Sequence, residues 1–158
     1  MRVYKVLLAV LLILLFSVAL VSSNEDNGKS IPYFSRMPNY FVSDNKDREF
    51  DAYSFSTAEG KVRVEGKKYE AHYLIKDEKP AASPLQIRRN YSNAVQAMGG
   101  SVLFDGEDEE GREITTLMVK VGGKELWLEV YVWNQGDSYT VVMIEKEAML
   151  QKVKVGNK

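Results

Sequence analysis

From Lys120 to Met149, apolar and polar residues alternate with a period of two. Leu126, Leu128, Val130 and Val132 fall on one side, and Trp127, Glu129, Tyr131 and Trp133 on the other. That is strand spacing, because successive side chains of a strand point to opposite faces. Gly122-Gly123 before the run and Asn134-Gln135-Gly136-Asp137 after it accept the positive φ of tight turns. Three antiparallel strands are predicted, over 114–121, 124–133 and 139–146.

The N-terminal half carries weaker patterns. Residues 31–40 hold Pro32 and Pro38 among Tyr33, Phe34 and Tyr40. Proline withholds a ladder donor, so this stretch is predicted as an irregular arm whose aromatics pack onto the body. Strands are expected over 41–47 and 49–56, with a turn at 57–60. A hairpin is expected across Glu65-Gly66, with arms over 61–64 and 67–76. In its second arm Tyr69, Ala71, Tyr73 and Ile75 share one face, and Glu70, His72 and Leu74 the other. A faint echo of the stretch around Gly122-Gly123 accompanies this hairpin and is ascribed to shared turn chemistry.

One helix is predicted over 83–98. Ser83 can cap it, Pro84 suits its first position, and Gln86 stands three residues after the cap. Leu85, Tyr91, Ala94, Val95 and Met98 recur at helical spacing, which leaves Arg88, Arg89 and Asn90 toward water. Gly99-Gly100 stops the helix. Extended chain resumes over 101–104, and 105–112 reads as an acidic loop. A short final helix is expected over 145–152, and 153–158 is expected to fray.

The first residues change the address. Arg2 and Lys5 precede an apolar run, 6–21, of 16 residues, followed by Val21-Ser22-Ser23 and an abruptly polar stretch. These are the parts of a secretory signal peptide, and the run is shorter than the roughly 20 residues of a spanning helix. Cleavage after residue 23 and a periplasmic location are expected; an uncleaved inner-membrane anchor is the alternative. Loss of Arg2 and Lys5 takes the 21 basic residues to 19 against 22 acidic ones, a net charge of −3 that gives no support to nucleic-acid binding. An exported chain without cysteine holds its fold without disulfides. The expected organisation is a leader (1–23), a disordered lead (24–30), a single domain (31–150) and a flexible tail (151–158).

Candidate chemistry is sparse. His72 is the sole histidine, it stands mid-strand, and no serine sits in a nucleophile-elbow pattern, so no triad is assigned. One histidine and no cysteine make no metal site of the zinc type. The acidic run 105–111 lacks the regular spacing and terminal glutamate of a calcium loop and reads as a solvated turn. Gly99-Gly100 follows a helix instead of preceding one, so it is no phosphate cradle. No cofactor is expected. Trp127, Tyr131 and Trp133 are the candidate binding surface. The aliphatic face beside them is the natural seat for the helix. The aromatic face then either packs under the N-terminal half, since large aromatics carry much of the burial in small domains, or stands open to a partner. Glu129, in the same alternation set, must find partners if that face is dry.

Several segments resemble a known family. Ser35-Arg36-Met37-Pro38-Asn39-Tyr40, Glu49-Phe50-Asp51-Ala52-Tyr53, the stretch from Pro84 to Tyr91, Tyr139-Thr140-Val141-Val142, and Glu145-Lys146-Glu147-Ala148-Met149 carry the likeness. They are similar to the domain of unknown function that precedes the peptidoglycan-binding domain in certain exported OmpA-family proteins of Gram-negative bacteria. The resemblance implies an envelope location; its motifs are structural and carry over no activity. Only Leu150 and 151–158 follow the matching region, so direct peptidoglycan binding through that second domain is not carried over. The expected fold is α+β, a mainly antiparallel sheet of about six to seven strands with one principal helix. The expected function is a non-catalytic binding or interaction module whose partner is another envelope protein. The alternative is a carrier that holds a small apolar ligand between sheet and helix.

Overall fold

The computed structural model describes residues 28–148. In chain order they form β1 (Tyr40–Thr57), β2 (Gly60–Ile75), helix α1 (Pro84–Ala97), β3 (Ser101–Glu107), β4 (Glu113–Val121), β5 (Lys124–Trp133) and β6 (Ser138–Lys146), with a 3-10 turn at Asn134–Gly136. The strands build one antiparallel sheet in the order β1-β2-β6-β5-β4-β3. The fold is therefore α+β, as expected. β6 lies at the centre and joins the β1–β2 hairpin to the β3–β4–β5 meander. The leader expected over 1–23, most of the lead and the tail lie outside the described residues. Among the described residues no helix is long and apolar enough to cross a membrane.

One face of the sheet forms the main core. Leu126, Leu128 and Val130 are fully buried there with Leu117, Val119, Val141 and Met143. Helix α1 lays Ile87, Tyr91 and Val95 on them. Ser83 Oγ accepts the Gln86 amide at 3.2 Å and caps the helix. At the other end Gly99 takes φ 80° and the Gly100 amide returns to the Val95 carbonyl at 2.9 Å. Gly100 also has to be small, since a Cβ there would stand 2.5 Å from the Met118 carbonyl oxygen.

The irregular arm covers the rest of this face and buries Ile31, Phe34 and Met37. Tyrosine hydroxyls pin it: the Ile31 amide donates to Tyr73 at 3.3 Å and the Met37 amide to Tyr139 at 2.9 Å. Tyr73 and Tyr139 stack with centroids 4.6 Å apart. The Tyr40 hydroxyl takes the Ala82 amide and donates to the Gly136 carbonyl at 2.6 Å, tying three connections together.

Four expectations are corrected. The two strands over 41–47 and 49–56 are one, β1. The break between them is a bulge, since Arg48 opposes Lys68 while Asp51 opposes Gly66, leaving one extra residue in β1. There is no hairpin across Glu65-Gly66, because β2 runs straight through and the turn falls at 57–60. Gly66 is there for close approach: a Cβ would lie 2.1 Å from the Glu145 carbonyl oxygen. The final helix does not begin at Glu145, which pairs with Leu126 and Lys67 inside β6; residues 149–152 lie outside the described part. Arg88 is not on the wet side. It is buried against Asp105, Glu113 (3.1 Å) and Thr115, and so ties α1 to β3 and β4.

Candidate functional site

The second face of the sheet divides into an end covered by the β1–β2 hairpin tip and an uncovered end. At the covered end the tip of the β1–β2 hairpin curls across it past the bulge. Phe55, Val64 and Ile144 are buried there, with Tyr53 and Trp127 packed against them. The Phe55 and Trp127 centroids are 5.6 Å apart. Glu129 is trapped beneath the tip at 5% exposure. Its carboxylate accepts from the Tyr53 hydroxyl at 2.6 Å, the Ser56 amide at 3.1 Å and the Thr116 hydroxyl at 3.1 Å. All three donors are neutral. A buried carboxylate is tolerable when its oxygens are satisfied in this way. Burial and then the Glu129 charge push the Tyr53 hydroxyl far above the ordinary phenol range, so it stays a donor.

At the open end the strand register lines up one row of side chains. Asp44 opposes His72, His72 opposes Thr140, and Thr140 opposes Tyr131. With Trp133, Asn45, Lys46 and Glu70 they line a cleft of about 280 Å³. The Tyr131 and Trp133 rings meet edge-to-face with centroids 5.5 Å apart. The Arg112 guanidinium, which does not line the cleft, stands 5.6 and 5.7 Å from those two centroids. It is fixed by Asp108 at 2.6 Å and Glu110 at 2.9 Å. His72 Nδ1 lies 2.9 Å from Thr140 Oγ1. Burial lowers the His72 pKa and outweighs the upward pull of Asp44, so the ring is neutral at neutral pH.

Tyr131 and Trp133, both half-buried, are thus brought together. Trp127 is not with them. It lines a separate groove with Val62, Val64, Glu125 and Lys146, and its indole N–H donates to Glu125 at 2.8 Å. The aromatic face is therefore neither wholly core nor wholly open. His72, Thr140, Asp44 and Glu70 join the site through cross-strand register, which residue spacing within one strand does not reveal. Glu70, His72 and Leu74 were read onto one face of β2, and that was the available signal.

The arrangement offers a corner of two nearly perpendicular aromatic rings and a rim of hydrogen-bonding groups. His72 meets a threonine hydroxyl, and Thr140 is itself 5% exposed, held by the sheet below the cleft. Among the described residues no three Asp, Glu or His side chains gather as a metal site. The Asp108 carboxylate of the acidic loop is engaged by the Glu110 and Arg112 amides at 3.0 and 2.8 Å. No protein-family model matches this chain, and no curated protein matches it.

Proposed function

We propose that this chain is a non-catalytic binding module of the cell envelope and that the Tyr131–Trp133 cleft is its working surface. The observation that carries this reading is the division of one sheet face. Around Glu129 and Phe55 it is closed by the hairpin tip, and the half-buried Trp127 borders a separate groove of about 510 Å³; its other end gathers Tyr131 and Trp133 with His72, Thr140 and two carboxylates around one solvent-open cleft. Partly exposed aromatics beside convergent polar groups are the usual make-up of a recognition site. The space between helix and sheet is filled by Ile87, Tyr91 and Val95, each at most 1% exposed, which supports a surface binder over a carrier of an apolar ligand.

The module is proposed to be exported through the leader read at 1–23. N-terminal sequencing of the periplasmic protein is expected to start near Asn24; a retained Met1 in the membrane pellet would contradict this. The site is tested with Trp133→Ala. The variant is expected to keep its melting temperature within a few degrees and to lose retention of envelope extract. A buried tryptophan would instead cost about 3–5 kcal/mol on truncation. A collapse of the melt would remove the cleft as a binding surface.

A further inference from the structure

Taking that cleft as the working surface, we propose that it is a saccharide subsite. One neutral sugar ring sits in the corner made by the nearly perpendicular Tyr131 and Trp133 rings, its apolar face on one ring and its edge against the other, and its hydroxyls meet His72, Thr140 and the neighbouring carboxylates.

Charge decides against ionic ligands. The lining carboxylates already have partners: Asp44 is 3.8 Å from Lys46, and Glu70 is 3.2 Å from Lys68. Asp44, Glu70 and Lys46 are the charged residues of the lining; Lys68, outside it, neutralises Glu70 from behind, and His72 is neutral. An ion of either sign entering here finds no unpaired opposite charge. A cation faces a further obstacle. The attraction of Tyr131 and Trp133 for positive charge is already spent on Arg112, which two carboxylates hold in place. A second cation on the same rings would meet that guanidinium across a short distance.

A purely apolar ligand fits no better. It would cover the Glu70 and Asp44 carboxylates and the His72 imidazole without supplying a hydrogen bond, and desolvated polar groups left unmatched are costly. The ligand that satisfies the cleft has no net charge, an apolar face for one of the two rings and a polar rim. A pyranose ring has that form, with C–H bonds on one face and hydroxyls around its edge. Hydroxyls both donate and accept, so they match carboxylates, a threonine and a neutral imidazole at once.

The test titrates the purified, isotope-labelled chain with maltotriose, cellotriose, mannotriose and the β-1,4-linked N-acetylglucosamine trimer at millimolar concentrations. Trp127→Phe assigns the two indole N–H signals. At least one trisaccharide is expected to shift the Trp133 indole and the His72–Thr140 region saturably, with Trp127 unaffected. Trp133→Ala is expected to weaken that binding by about tenfold or more, as truncation of a central aromatic does, and Trp127→Phe to leave it unchanged. Shifts confined to the Val62–Trp127 groove would overturn the assignment. So would four silent titrations. If Trp133→Ala still loses envelope retention in that case, the cleft serves a protein and only the saccharide assignment falls. If Trp133→Ala fails to fold, the binding surface falls with it.

Discussion

Single carboxylates set the acid limit of this domain. Glu145 is 8% exposed and lies against Lys124 and the Tyr33 hydroxyl at 3.0 Å. Burial alone would raise its pKa, but the ammonium and the hydroxyl prevail and hold it below the ordinary value of 4.5. A carboxylate depressed in the folded state contributes stability that is present above its unfolded pKa and lost as pH falls through the folded one. Glu125, held down first by the Trp127 indole N–H and then by Lys146, has the same sign. His72 acts earlier. Its lowered pKa means that the unfolded chain takes the proton first, so stability begins to decline below the ordinary value of 6.5. Melting temperature measured from pH 7.5 to 3 is expected to fall in two steps, a shallow one near the histidine range and a steeper one below about 4.5. His72→Gln should remove the first step, and Glu145→Gln should flatten the second. A single acid step in the unaltered protein would show that His72 is not linked to folding. Arg88 shows the limit of residue-level reading. Helical spacing sends it outward, and only the position of β3 and β4 supplies Asp105 and Glu113 to draw it in.

The hairpin tip is held to the sheet by Glu129 more than by its own length. Tyr53, Ser56 and Thr116 converge on that carboxylate from the tip and from β4. Tyr53→Phe removes one short bond to a charged group and is expected to lower stability by about 1.5–3 kcal/mol, read from urea midpoints. It should also loosen the packing around Trp127, seen as a red shift in its fluorescence. An unchanged midpoint would mean that the tip stays down without this bond. The element pattern was legible where one face alternates cleanly. β4, β5 and β6 appear within one residue of the alternation signal, and Ser83-Pro84 and Gly99-Gly100 marked both ends of α1. It failed at Gly66, where one residue type serves turns and close strand approach alike, and at Arg48–Asp51, where a bulge looks like a strand end. The candidate site was half legible. Tyr131 and Trp133 announced themselves by size, but Asp44, His72 and Thr140 become neighbours only when β2 pairs with β6, and that pairing is not a local property.

Taken as a whole, the molecule is two strand units with one strand between them. The α+β class and the main core followed from alternation and capping. The strand order did not, because nothing local says that β6 inserts between β2 and β5. That order has a consequence in time. Until β6 is available, the β1–β2 hairpin and the β3–β5 meander each expose an unpaired edge and half of a core. A two-stranded hairpin alone is marginal in water. Closing the sheet means joining distant parts of the chain, which places refolding in roughly the millisecond-to-second range of non-local β topologies. A nascent chain lacking residues 138–148 should therefore remain unfolded and commit to its structure only once β6 is available. A chain ending at Asp137 is expected to show no cooperative melt, and a peptide spanning 138–148 added in trans should restore one. A cooperative transition in the truncated chain alone would mean that folding starts without its central strand. Where the added peptide restores the melt, the protein carries its own delay, written into the central place of β6 in the sheet.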